Sequence, residues 1–236
     1  MRKLITTLIS TTLLGIFLLT SCSSYNSTFD FSELQEECGT EVTLSNDGEY
    51  IIASPTTSTT KGLIFYPGGL VSYEAYLPLM IKCAKQGIKC IIVQMPSDFA
   101  ILNMYAAKRV QMRNTDITKW YLAGHSLGGA MAASYIAGHS SDFEGLILLA
   151  AYSTADITSS GLKVLSAYGT NDKVLNAENY SKYRSNLPSD FTELIIEGGN
   201  HGHFASYGEQ SGDGEATITA AEQQELTASA IGTLVN

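Results

Sequence analysis

Tyr121-Leu122-Ala123-Gly124-His125-Ser126-Leu127-Gly128-Gly129-Ala130-Met131-Ala132-Ala133 runs from a short apolar segment, through Gly-x-Ser-x-Gly, into an alanine-rich segment of helical composition. A strand that turns this tightly into a helix forces Ser126 into strained backbone geometry. Glycines two residues to either side leave room for strand and helix to approach. The product is an exposed hydroxyl at a helix N-terminus, where backbone N–H groups and the helix dipole stabilise a developing oxyanion. A phosphate-cradling glycine loop is the competing reading, and the absence of a Gly-Lys-Ser/Thr ending argues against it.

A serine is a poor nucleophile at neutral pH and requires a base, itself held in one tautomer by a carboxylate. Downstream, Ala167-Tyr168-Gly169-Thr170-Asn171-Asp172 places an aspartate in the loop just after an apolar strand, where open α/β sheets put their sites. Asp172 is therefore the acid, with a turn aspartate as the bland alternative. Another apolar strand, Ile195-Ile196, ends in Glu197-Gly198-Gly199-Asn200-His201-Gly202-His203. His201 is taken as the base and His203 as its rival; a metal at His-x-His would need further ligands that the neighbourhood does not offer. Asp98 and Asp156 read as loop or cap residues, and Gly212-Asp213-Gly214-Glu215 as a flexible surface turn lacking calcium-loop spacing.

Outward from these segments, short apolar β-branched runs alternate with longer amphipathic ones, the pattern of βα units around a parallel sheet. Val42 to Ala53 departs from it and reads as a hairpin turning at Asn46-Asp47-Gly48. The remaining strands are expected at Gly62–Tyr66, Ile88–Gln94, Trp120–Ala123, Leu146–Ala150, Lys163–Tyr168 and Thr192–Ile196. Helices are expected at Glu74–Gln86, Ile101–Met112, Leu127–Ala137 and Ala177–Ser185, with a last one announced by the capping-box pattern Thr219-Ala220-Ala221-Glu222.

With these residues in hand the chain resembles the α/β-hydrolase superfamily, and in particular its small bacterial esterase and dienelactone-hydrolase-like members, from about Gly62 onward. The resemblance implies a mostly parallel sheet with helices on both faces. It aligns the nucleophile with Ser126, the acid with Asp172 and the base with His201, in the family's chain order. It also implies an oxyanion hole from the N–H of Leu127 and one from the loop Tyr66-Pro67-Gly68-Gly69-Leu70. Gly69 is the expected second donor and Leu70 its alternative, because Pro67 stands where many relatives have histidine. A serine nucleophile separates the chain from relatives that use cysteine or aspartate. Where many relatives insert a lid, Ala151 to Leu162 is only a short loop, so the expectation is an open site facing solvent, without a large cap, for short or surface-exposed acyl substrates rather than activation at a lipid interface. Tyr73, Met95, Phe99 and Tyr152 come from loops expected to rim it.

The N-terminus is different in kind. Met1-Arg2-Lys3 precedes an uncharged apolar stretch from Leu4 to Leu19, shorter than the roughly 20 residues a membrane span needs. This is the signal-peptide pattern, and Leu19-Thr20-Ser21-Cys22 resembles the lipobox of bacterial lipoproteins. The expected organisation is thus a signal peptide over residues 1–21, a polar tether over 22–31 beginning at lipidated Cys22, and a hydrolase domain over 32–236. Removing residues 1–21 shortens the 236-residue chain to 215 and leaves 12 Lys+Arg against 23 Asp+Glu. That balance, and a pI near 4.8 for the whole chain, are too acidic for general nucleic-acid binding. Charged residues are 16% of the chain, below the roughly 25% usual for soluble domains, and 44% hydrophobic residues suffice for one full core. Cys38, Cys83 and Cys90 are an odd set without zinc spacing; Cys83 and Cys90 read as buried thiols.

The expected activity is carboxylesterase-like hydrolysis of a small-molecule ester through an acyl-enzyme, with no cofactor and no metal, outside the cytoplasm and on a lipid anchor to the membrane. An amidase, peptidase or thioesterase would use the same triad. A non-catalytic surface binding lipoprotein is the rival from another class.

Overall fold

A computed structural model of the chain describes residues 24–236. The signal peptide expected over 1–21 and the expected lipidation site Cys22 lie outside the described residues.

Eight strands form one sheet in the order β1-β2-β4-β3-β5-β6-β7-β8: β1 (Val42–Asn46), β2 (Tyr50–Pro55), β3 (Lys61–Tyr66), β4 (Lys89–Val93), β5 (Lys119–His125), β6 (Gly145–Leu149), β7 (Lys163–Gly169) and β8 (Thr192–Ile196). The hairpin β1–β2 is antiparallel, as the Asn-Asp-Gly turn requires, and β2 runs antiparallel to β4. From β4 to β8 every pairing is parallel.

Both faces of this sheet are covered, which is why its central strands read as unbroken apolar runs rather than alternating ones. Leu63, Phe65, Cys90, Ile92, Tyr121, Ala123, Ile147 and Leu149 point to one core. That core is closed by α2 (Leu77–Ala84) and the long α6 (Ala220–Val235). Ile64, Tyr66, Ile91, Val93, Leu122, Leu146 and Leu148 point to the other, against α3 (Ala106–Arg113) and α4 (Leu127–Ile136). Helix α6 begins with the capping box expected at Thr219, both reciprocal bonds to Glu222 being present.

Two helices are shorter than their periodicity suggests. The segment expected from Glu74 opens as a 3-10 turn over Tyr73–Tyr76, and α2 begins only at Leu77, where Pro78 fits the first turn because its missing N–H has no intrahelical partner. The segment expected from Ile101 breaks into a 3-10 turn, Ala100–Asn103, and α3. Between them sits the Tyr66 hydroxyl, donating to the Met104 carbonyl at 2.7 Å and accepting from the Ala107 N–H at 2.9 Å. A side chain from the sheet thus starts the helix. Helix α5 (Ala177–Tyr183) is capped by Asn176.

A short helix, α1 (Glu33–Cys38), was not expected and is held by buried Leu34 and Cys38. Cys38, Cys83 and Cys90 are all free and buried. The expected tether is docked rather than loose from Tyr25 on: the Tyr25 N–H donates to the Leu70 carbonyl at 2.7 Å and Thr28 N–H to the Ser206 carbonyl at 3.0 Å. Its Ser/Thr/Asn composition hid the cause, which is that Tyr25, Phe29 and Phe31 pack on the core.

Candidate active site

Ser126 sits where β5 becomes α4, with φ 52° and ψ −121°. A non-glycine residue at positive φ is strained and persists only where its surroundings hold it. Here they do: its N–H donates to the Leu149 carbonyl of β6 at 2.9 Å. The flanking glycines have steric reasons to be there. A Cβ on Gly124 would lie 2.5 Å from the Gly128 carbonyl carbon, and one on Gly128 would lie 2.1 Å and 2.2 Å from the carbonyl oxygens of Tyr66 and Pro67. Gly129 would meet the Ala151 side chain at 2.5 Å.

Asp172 and His201 come from the loops after β7 and β8. His201 Nδ1 lies 2.9 Å from Asp172 Oδ2, with both side chains only 2% exposed. The other carboxylate oxygen, Oδ1, accepts from the N–H groups of Val174 and Leu175, each at 2.8 Å. The carboxylate is thereby fixed before it meets the imidazole, and the contact assigns the Nδ1–H tautomer, leaving Nε2 free as an acceptor. His201 shares with Ser126 a cleft of about 420 Å³. The same cleft takes in Leu127, Met131, Tyr152 and Leu175, and no Asp, Glu, Lys or Arg lines it. A larger cleft of about 640 Å³, between Gly161, Pro188 and Leu234, holds no histidine or cysteine.

His203 is placed elsewhere. It lines a separate cleft with Asp213 and Glu215, which includes neither Ser126 nor His201. Burial holds its imidazole below the ordinary histidine value, with the Ile218 carbonyl and Asp213 opposing.

The loop after β3 supplies three N–H groups, and two are used internally. Gly68 N–H donates to the Tyr76 hydroxyl at 2.9 Å and Leu70 N–H to the Asp98 carbonyl at 2.9 Å. Gly69 faces Leu127, whose Cδ2 would be 3.0 Å from a Cβ at that position. The alternative donor Leu70 is therefore engaged, and Gly69 remains beside the first residue of α4.

Sequence reasoning missed the residues that hold this arrangement. Gln223, from α6, grips the backbone of Asn200 with both ends of its amide, accepting from its N–H at 3.0 Å and donating to its carbonyl at 2.9 Å. Asp213 accepts from Gly202 N–H at 2.9 Å and from Lys173 N–H at 3.3 Å, clipping the loop of His201 to that of Asp172. The expected loose turn around Gly212 is thus part of the site's frame, and no local pattern announces such long-range partners. Of the expected rim residues only Tyr152 lines the cleft. Met95 is buried, Phe99 opens a neighbouring 3-10 turn, and Tyr73 bonds Asn46. The loop over 151–162 is tied down by its Ile157 N–H donating to the Asn186 carbonyl at 2.8 Å and holds no helix or strand that could form a cap.

His125, inside the opening motif, is buried. Its Nδ1 shares a hydrogen bond with the Tyr76 hydroxyl at 2.8 Å, and its ring centroid lies 4.6 Å from that of His201. Burial first, and His201 second, hold its imidazole well below the ordinary histidine value, with the His201 backbone opposing. The sign follows. Below about pH 6.5 the unfolded chain binds a proton at this position that the folded chain refuses, so stability present above that pH is lost on acidification, by about 1.4 kcal/mol per pH unit until the folded value is reached. Urea unfolding at pH 7.5 and 5.5 is expected to show a smaller pH-dependent loss in His125→Gln than in the parent; equal losses would contradict the buried neutral imidazole.

Strand order, elbow and cleft together define an α/β-hydrolase. A profile of the alpha/beta hydrolase family matches residues 62–225, and the chain belongs to that family. A search of curated protein sequences returns no match. Among solved structures, the chain is similar to a predicted CIB-like hydrolase from Thermoplasma acidophilum, at 14% identity and TM-score 0.62, covering 81% of this chain and 99% of that one. It is similar to Est1E from Butyrivibrio proteoclasticus at 15% identity and TM-score 0.59, covering 82% and 96%. A putative lipase from Acinetobacter baumannii matches at 14% identity and TM-score 0.58, covering 74% and 90%. At these identities the likeness is one of fold.

Proposed function

We propose that this hydrolase is a serine carboxylesterase whose nucleophile is Ser126, acting through an acyl-enzyme on neutral small-molecule esters. The observation that carries the reading is the buried His201–Asp172 pair at 2.9 Å, opening on the same cleft as the strained Ser126. His201 Nε2 takes the Ser126 proton as Oγ attacks the ester carbonyl, and Asp172 holds the resulting imidazolium. The negative charge on the tetrahedral oxygen is met by the N–H groups of Leu127 and Gly69, adjacent at the elbow. Collapse expels the alcohol, which receives the proton from His201. Water then repeats the sequence to release the acid and restore the serine.

A cleft walled by Leu127, Met131, Tyr152 and Leu175, and by no Asp, Glu, Lys or Arg, supports an uncharged acyl group. An amide or thioester substrate would use the same groups. The putative lipase among the structural neighbours is in keeping with an ester. From the lipobox-like Leu19-Thr20-Ser21-Cys22 we also propose that the protein lies outside the cytoplasm, lipid-anchored through Cys22.

The test is a chain-length series of aryl esters with His201→Ala and His203→Ala in parallel. His201→Ala is expected to lose activity by roughly 10⁴-fold or more, and His203→Ala to stay within severalfold of the parent. The reverse ranking would move the base to His203, and parent protein inactive on every ester, thioester and amide would favour a binding protein on a hydrolase scaffold.

A further inference from the structure

Tyr25 is bound into the domain body on the sheet edge that carries Ser126. Tyr25 bridges in parallel to Val71, its carbonyl accepting from Ser72 N–H at 2.9 Å. Its ring lies 5.2 Å from Tyr207, and its hydroxyl accepts from Ser211 N–H at 3.3 Å. The neighbouring Leu70, which accepts from Tyr25, follows Gly69 at the elbow and donates to Asp98.

Asp98 leads directly into the most conspicuous apolar surface among the described residues. Ile101, Leu102 and Tyr105 are 61%, 62% and 61% exposed and fall within five positions of one another. From Gln94 to Ala107 the only charged residue is Asp98, and Lys108 and Arg109 follow immediately. An apolar ridge with an aromatic at its end and cations behind it has the composition of a surface that rests in a lipid interface. On a chain this acidic, it is also a place where repulsion from a bilayer is weak.

The length of chain before Tyr25 decides what covers the ridge. Cys22, the expected lipid attachment, precedes Tyr25 by three residues, which span about 10 Å at full extension. A domain tied at that distance cannot turn this edge far from the membrane. We propose that the ridge of Ile101, Leu102 and Tyr105 lies on the phospholipid bilayer, with the catalytic edge facing it, and that the substrate is an ester of an amphiphile held in that bilayer. The substrate half rests on the carboxylesterase reading above, and the docking half on the lipidation of Cys22 proposed with it.

The experiment uses the full lipidated chain, produced in a bacterial host and reconstituted into phosphatidylcholine vesicles. Because Cys38, Cys83 and Cys90 are buried, a dye will react selectively with a cysteine introduced on the surface. Leu102→Cys reports on the ridge, and Thr115→Cys, in the turn before β5 at the opposite edge, serves as reference. Quenching by nitroxide-labelled lipid is expected at position 102 and not at 115. Equal quenching at both, or none at 102, overturns the docking. For the substrate, twelve Gly/Ser residues inserted between Ser24 and Tyr25 are expected to lower turnover of a vesicle-borne ester about fivefold relative to a soluble one, as the tether's effective concentration falls. An unchanged ratio overturns the amphiphile assignment. Parent protein inactive on soluble and vesicle-borne esters alike overturns the hydrolase reading and the substrate half together, leaving the quenching to decide the docking.

Discussion

Ser126→Ala is expected to lower ester turnover by about 10⁴- to 10⁶-fold and to abolish covalent labelling by a fluorophosphonate. The reason is chemical rather than structural. Alanine keeps the Cβ, so the elbow at φ 52° carries the same strain and the N–H bond to Leu149 is untouched. His201 and Asp172 keep their 2.9 Å contact, but no oxygen is left to acylate. The thermal midpoint should therefore stay near that of the parent while kcat collapses. Ser126→Gly separates the two effects: it removes the same oxygen and also relieves the positive φ, so it should be equally inactive and more stable by up to about 1 kcal/mol. Residual labelling in either variant would mean that another residue is the nucleophile.

Gly128→Ala is expected to cost at least about 3 kcal/mol of stability, a large share of the roughly 5–15 kcal/mol usual for a domain. The added methyl would lie 2.1 Å from the Tyr66 carbonyl oxygen and 2.2 Å from that of Pro67. Both are backbone atoms, so no side-chain rotation relieves the clash, and the end of β3 must part from the start of α4. That movement separates Gly69 from Leu127, so the folded fraction should also turn over slowly with Ser126 intact. Gly138→Ala is the control, since its Cβ would have nothing closer than the Tyr135 carbonyl oxygen at 4.0 Å. Chemical denaturation of the two variants should differ by several kcal/mol; similar midpoints would mean that strand and helix are not packed as closely as these contacts require.

These two substitutions fall inside the segment that made the fold legible. Gly124, Ser126 and Gly128 form a local pattern because the elbow is a local problem in backbone geometry, solved within five residues. The strands were legible for a related reason: a sheet buried on both faces imposes uninterrupted apolar runs, as in Leu63–Tyr66 and Leu146–Leu149. Helix starts were less so. The breaks before α2 and α3 depend on Pro78 and on the Tyr66 hydroxyl, the second reaching about forty residues along the chain.

Local order thus announced the family and brought Ser126, Asp172 and His201 forward as candidates, since each lies just beyond an apolar strand and strand ends are visible in composition. It left His201 and His203 as rivals and Gly69 and Leu70 as alternatives, because two residues' separation says nothing about which side of a loop faces a cleft. Tertiary structure separated them, setting His201 beside Asp172 and Ser126, turning His203 toward Asp213, and engaging the Leu70 N–H with Asp98. It also supplied the frame that no pattern carried: Gln223 on Asn200, Asp213 across two loops, Tyr76 between Gly68 and His125, and Tyr25 against Leu70. Each of these is a pairing between residues far apart in the chain, and such pairings exist only once the sheet has brought its loops to one edge.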